Sequence, residues 1–321
     1  MADFPTNSNA TGRWRMMEIR NEILGNNWPG LFGGDKAIFG FGYTGTTLNI
    51  ITKFNNIGNI IGSETPAGTA RRYPAAASYG GDKSIFGFGY VTLDIITRFD
   101  SNGIYVGQEE NVGMGRSQLA AATYGSDKAI FGFGNPTGSL SNTIIRFDNT
   151  GAYVNSEESA GTARQQLAAA TYDGDKAIFG FGNLVLSGIA SLTNTITRFD
   201  NTGSIIGSET TAGTARRELA AATYDGDKAI FGFGNPNGNT NVITRFDNTG
   251  SIIGSETTAG TARRELAAAT YDEDKAIFGF GNTITSPYLN TTTRFDNTGT
   301  YVGQEENAGT ARDKLAAASY G

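Results

Sequence analysis

One unit, written six times, limits what this chain can fold into more than any other feature. "TARRELAAATYDGDKAIFGFGN" runs from Thr214 to Asn235 and returns over Thr261–Asn282 with a single change, Gly226 becoming Glu273. Looser copies surround these two. An Asp–Lys pair marks the register at Asp35, Asp82, Asp127, Asp175, Asp227 and Asp274, with spacings of 47, 45, 48, 52 and 47 residues. A period of that size means units that bury their faces only against neighbouring copies.

Each unit reads as four short strands. "DKAIFGFG" alternates, which predicts a strand with Phe39 and Phe41 on one face and Ile38, Gly40 and Gly42 on the other. After a variable stretch come "ITRFDNTG" (Ile196–Gly203) and "SIIGSE" (Ser204–Glu209). "DNTG" between them is a hairpin signal, with Asn and Gly expected to take the positive-φ positions. "LAAATY" (Leu219–Tyr224) then leads into the next copy. No helical period runs through the unit, which excludes helical repeats, and a leucine-rich repeat would be shorter and carry a Leu ladder. The coils of a β-helix are also shorter and would not hold two hairpin turns each. Four strands per unit is the pattern of a propeller blade.

The strand count predicts closure. Six "DK" strands, six "RFD" or "KFN" strands and six "AAA" strands (Ala75, Ala120, Ala168, Ala220, Ala267, Ala316) are present, yet no "AAA" strand precedes Asp35 and no "DK" strand follows Leu315–Gly321. Each end lacks what the other holds. The fold class expected is therefore all-β, a six-bladed β-propeller over residues 31–321, with the C-terminal strand completing the first blade and leaving no open sheet edge. Residues 1–30 form a separate extension or attachment segment, in which Thr11–Gly30 has the pattern of a short helix with Met16, Ile19 and Ile23 on one stripe.

Read from its Arg, the unit resembles a kelch repeat. An Arg precedes a small-residue inner strand, followed by a Gly-containing strand, an aromatic–Asp strand and a short fourth strand, and the likeness spans Asp35–Gly321. It departs from kelch in having "GFG" for the usual Gly–Gly doublet and no fourth-strand Trp, since Trp14 and Trp28 both precede the repeats. The "GxW…WP" segment ahead of such repeats is similar to virion-associated proteins of tailed bacteriophages. That resemblance implies a virion location, a binding or structural role, other virion proteins as partners of the N-terminal segment, and a host-surface glycan or protein as a further partner. The competing expectation is a free bacterial carbohydrate-binding or scaffold propeller, extracellular or at the cell surface.

Composition narrows the chemistry. With no Cys and no His, there is no thiolate nucleophile, no Cys- or His-ligated metal and no imidazole base. The net charge of −6 argues against nucleic acid as a partner. No apolar run approaches the roughly 18 residues of a membrane helix, and "MADFPTNSNATGRW" lacks a secretion signal's basic start and apolar core. The Asp residues in "YDGD" and "FDNT" are expected to cap turns rather than bind calcium, which takes about six to eight converging oxygens. Tyr224, Glu218 and Arg216 supply the residue types of a sialidase site, but Tyr and Arg recur in every unit whereas a catalytic site is singular, and the family's S-x-D-x-G-x-T-W box is missing. Copper kelch oxidases need His and Cys. The expectation is a non-enzymatic protein with no metal or cofactor.

Two sets of residues stand out as candidate sites. Arg71, Arg116, Arg164, Arg216, Arg263 and Arg312 recur at one position in the unit; placed at the start of the innermost strand they would ring the channel mouth, and their alternative is a structural pairing with a nearby Glu or a neighbouring blade's carbonyls. The segments joining second to third strands differ in every copy, and rigid scaffolds carry binding on such loops. Among them Asn183–Asn194 is apolar where Asn235–Asn241 is polar. Leu184, Leu186, Ile189 and Leu192, with Tyr43, Tyr90 and Tyr288 in the equivalent loops, are the candidate contacts. Unconstrained drift, or packing of the Leu/Ile set against its own blade or the N-terminal segment, remains the alternative reading of these loops.

Overall fold

The structure, a computed structural model, describes residues 34–321 apart from 91, 92, 137, 155, 156, 187 and 188. The expected N-terminal helix and the two Trp residues lie outside the described residues. Six four-stranded antiparallel sheets form, all with the same up-and-down order, together with one two-stranded hairpin. The first blade is built from both ends of the described chain: Ala316–Tyr320 is its inner strand, followed by Lys36–Gly40, Leu48–Phe54 and Thr65–Arg71. Lys36 pairs with Tyr320 and Gly40 with Ala316, so the seam is a full five-residue ladder. Blades 2 to 6 start on Ala75–Tyr79, Ala120–Tyr124, Ala168–Tyr172, Ala220–Tyr224 and Ala267–Tyr271.

The core is six wedges, each shared by two blades. In the wedge between blades 5 and 6, Ala220, Ala222, Tyr224, Ile230 and Phe233 of one meet Leu266, Ala268, Ala276 and Phe278 of the other. Ala at the thin end and aromatics further out match the taper that radial packing requires.

The second strands depart from the alternation expected of them. Phe41 has φ of 67°, and each equivalent Phe is also left-handed. The strand therefore ends at Gly40, and Phe41 swings to the face of Ile38, away from Phe39: it packs on Phe86 of the next blade at 5.5 Å, while Phe39 meets Phe280 of the previous blade at 5.4 Å. Four further pairs repeat the contact around the ring. The "GFG" spelling follows from it. A Cβ on Gly232 would lie 2.7 Å from Ile243 Cδ1 and 3.2 Å from Phe278 Cε1, so only Gly lets the neighbour's ring approach.

The "DNTG" hairpins also differ from expectation. Only the Gly is left-handed (Gly203, φ 80°); Asn is not. The turn is held instead by the Asp200 carboxylate, which accepts from the Thr202 and Ser204 amides at 2.8 and 2.9 Å.

Candidate binding face

The six recurrent arginines do not line the channel. Each leaves an outer strand or its continuation and enters the wedge between its own blade and the next, where it is 0–1% exposed. Arg263 bonds Glu305 Oε1 at 2.7 Å, Thr293 Oγ1 at 2.6 Å and the Phe278 carbonyl at 3.4 Å, all in blade 6, while its guanidinium sits 4.4 Å from the ring centre of Phe233 in blade 5. Arg312 makes the same set with Glu64, Thr52 and Phe39 and so clamps the seam. The structural pairing with Glu and a neighbouring blade's carbonyls is what forms, as a ring of interblade clamps and not at the channel mouth. Its sequence signal is a Glu seven residues before each Arg, although the Glu that each Arg takes belongs to the following blade.

Burial and hydrogen bonding set the charges of the clamp. Burial alone would raise Glu64, but hydrogen bonds from the Thr310 and Thr52 hydroxyls, the Thr310 amide and Arg312 outweigh it and hold the carboxyl at about 2. Burial lowers Arg71 to about 10 against the opposing pull of Glu109, which leaves it charged at neutral pH. Blade 3 is the exception. Ile145 stands where the other blades place Thr, so Arg116 turns to Thr143 and Glu157 and sits 5.6 Å from the Phe88 centre.

The channel itself has two unlike ends. At one, here called the lower end, Ser78, Thr123, Thr171, Thr223, Thr270 and Ser319 surround a space of about 40 Å³. Each hydroxyl donates to the backbone carbonyl of the preceding member at 2.9–3.0 Å, a complete ring of six bonds. A second ring of six backbone bonds runs just outside it, from Gly80 to Asp127, Gly125 to Asp175, Asp173 to Asp227, Asp225 to Asp274, Asp272 to Asp35 and Gly321 to Asp82.

At the upper end the second residue before each inner strand is left-handed, with φ between 54° and 58°: Tyr73, Gln118, Gln166, Glu218, Glu265 and Lys314. Five backbone bonds of 2.7–2.9 Å link these residues blade to blade. One backbone position thus presents four different residue types around a space of about 120 Å³ whose walls are Ala and Leu. Lys314 is 3.0 Å from Glu265 and 2.7 Å from Asp313, and Tyr73 donates to Glu265 at 2.8 Å. Asp313 is 2% exposed. Burial pushes its carboxyl up to about 6, with Glu265 adding to the rise and Lys314 and Asn282 opposing it. Sequence reading did not single out this collar, although its signal is present as one variable residue between an Arg-bearing run and "LAAA".

The variable loops share this upper face. A second ring of bridges ties them to the inner-strand entries: Tyr43 to Asp313, Arg72 to Tyr90, Ser117 to Asn135, Gln165 to Asn183, Arg217 to Asn235 and Arg264 to Asn282. Tyr43, Tyr90 and Tyr288 come together over blades 6, 1 and 2. The Arg72 guanidinium lies 4.7 Å from the Tyr43 ring centre and 4.3 Å from that of Tyr90, and Tyr43 meets Tyr288 edge-on at 6.2 Å.

The apolar candidates sit apart, on blade 4. Asn183–Leu186 and Ile189–Leu192 form a two-stranded hairpin of their own rather than a loop, in which Leu186 pairs with Ile189 and Asn183 with Leu192. Leu184 and Leu192 are half-buried, whereas Ile189 is 71% exposed and Val185 50%. Beside the hairpin runs a groove of about 370 Å³ toward blade 5, lined by Ala190 and Leu192 on one side and by Arg217, Arg264, Asn235 and Asn237 on the other.

No family model matches the chain, and no curated protein matches it. Among solved structures it is similar to a chain described as "Structure of YjhT", with a TM-score of 0.58 and 12% identity over 78% of this chain and 88% of that one. The likeness supports the propeller fold, which is consistent with a binding or structural module, and at that identity it reaches no further.

Proposed function

We propose that this chain is a non-enzymatic binding module of a bacteriophage virion, attached through its N-terminal segment and meeting a host-surface glycan or protein with its upper face. The observation that carries the reading is the contrast between the two channel ends. At the lower end every blade spends its side chain on the same interblade bond, whereas at the upper end one backbone position holds Tyr73, Gln118, Gln166, Glu218, Glu265 or Lys314. Side chains that need not repeat one framing bond are open to choice by a partner. The exposed Val185 and Ile189 add apolar surface on the same face. The virion assignment rests on the sequence resemblance of the repeats and the Trp-bearing segment.

Two measurements test this. Mass spectrometry of purified particles should find the chain, and its absence from them would favour a free glycan-binding or scaffold propeller. Replacing residues 183–194 with "NPNGNTN", the shorter blade 5 version, should leave the melting temperature intact and abolish binding of the labelled protein to host cells. Lost stability with retained attachment would assign the hairpin to packing instead.

A further inference from the structure

The groove beside the blade 4 hairpin carries an excess of positive charge that the fold only partly uses, with Arg264 Nε donating to Asn282 Oδ1 at 3.1 Å. Arg217 and Arg264 share one carboxylate, Glu218, and each approaches it only to 3.5 Å, longer than the roughly 2.7–2.9 Å of a charge-assisted bond. Glu218 is already committed to the Gln166 amide at 2.9 Å and the Asn235 amide at 3.3 Å. Arg217 Nε is the atom nearest Glu218, yet it is buried and makes no hydrogen bond there, so the one carboxylate at hand leaves this guanidinium unmatched. Two guanidiniums against one carboxylate leave a spare positive charge in a protein whose net charge is −6. Both arginines are about a third exposed, so their free edges are accessible from the groove.

We propose that this groove binds a carboxylate-bearing sugar residue of a surface polysaccharide. The inference rests on the binding role proposed for the upper face and names the ligand class it takes. An Arg fork matches a carboxylate with two parallel bonds. A space of about 370 Å³ is larger than an inorganic anion needs and falls in the range of small-ligand pockets. Asn237, exposed at the rim, offers both a donor and an acceptor to hydroxyls. Ala190 and Leu192 supply an apolar wall for the C–H face of a ring. The hairpin thus builds the site instead of serving as a greasy tip.

The test uses the full chain against a panel of carboxylated bacterial capsular polysaccharides and the same polymers after chemical reduction of their carboxyls to alcohols. Calorimetry should find at least one carboxylated polymer that binds, with affinity falling about tenfold or more on carboxyl reduction or in Arg217→Gln, the size of a lost charged hydrogen bond. Ala190→Trp fills the groove while keeping both arginines, and should abolish binding with an unchanged melting curve. Failure of every carboxylated polymer, equal binding of the reduced forms, or unchanged affinity in both variants would overturn the proposal. If it falls while the hairpin graft still abolishes cell attachment, the upper face remains the binding surface and only the ligand class is wrong.

Discussion

The two ends of the channel are made from the same backbone and put to opposite use. At the lower end six hydroxyls each bond the neighbouring blade, and a second ring of backbone bonds backs them. At the upper end the backbone is again linked blade to blade, this time through left-handed residues whose side chains differ from blade to blade and pair among themselves, Tyr73 and Lys314 with Glu265 and Gln166 with Glu218. A left-handed backbone costs a non-Gly residue of order 1 kcal/mol or more, and all six collar positions accept that cost without a Gly among them. The ring geometry fixes the backbone there and the side chain is chosen for something other than the frame. One end therefore holds the ring together and the other displays variety.

The comparison breaks most completely if the frame is opened. Deleting residues 313–321 removes the inner strand of blade 1, one hydroxyl of the lower ring (Ser319) and one collar residue (Lys314) together. An unpaired edge on Lys36–Gly40 and a lost neighbour for two blades should abolish cooperative unfolding and produce aggregates in size-exclusion chromatography. A soluble monomer with the parent melting temperature would mean that the seam does not matter to the ring.

Next in size come the clamps. Glu305→Ala strips the ion partner from the buried Arg263 and should cost about 3–5 kcal/mol in urea unfolding. Glu157→Ala should cost less, because Glu157 has no Thr hydroxyl from its own third strand, where Ile145 replaces it. Equal costs would show that the Thr adds nothing to the clamp.

Much of this was legible in the chain and some was not, for physical reasons. Spacing alone predicts six blades and the shared first blade, because counting strands needs no side-chain geometry. Phe41 was misplaced because alternation assumes an extended backbone, and the left-handed turn after Gly40 is imposed by the neighbouring blade. The arginines recur as a channel ring would, yet a repeat cannot say whether a side chain meets its own blade, the axis or the next blade. The seven-residue spacing from Glu to Arg was the available clue. The Asn183–Asn194 insertion was recognised as apolar, but its pairing into a hairpin depends on cross-strand contacts that no other blade shows among the described residues.

Smaller effects sharpen the contrast between the ends. Ala222 is 4% exposed at the thin end of a wedge, and Ala222→Phe should overpack it at about 1–3 kcal/mol. Thr223→Val removes one bond of the lower ring and should cost about 1 kcal/mol, whereas Gln118→Ala in the upper collar should stay within about 0.5 kcal/mol. A collar substitution as costly as the hydroxyl one would erase the distinction between a framing end and a displaying end.

The last effect is pH dependence, and the two kinds of carboxyl give it opposite signs. Glu64 and Glu209 are held down at about 2, below the roughly 4.3 of an unfolded Glu. Their contribution is present above that unfolded value and is lost as pH falls toward 2. Asp313 is raised to about 6, above the roughly 3.9 of an unfolded Asp. Between those values the folded chain holds a proton that the unfolded chain has released, so stability falls as pH rises through the window. These frame carboxyls thus lose in acid, and Asp313 at the upper face loses as pH rises through about 4–6. Asp313→Asn keeps a polar group beside Asn282 and Lys314 but cannot ionise, so the fall in its urea midpoints between about pH 4 and 6 should be smaller than the parent's. A decline of the same size in the variant would move the source of that slope away from the upper collar and back into the frame.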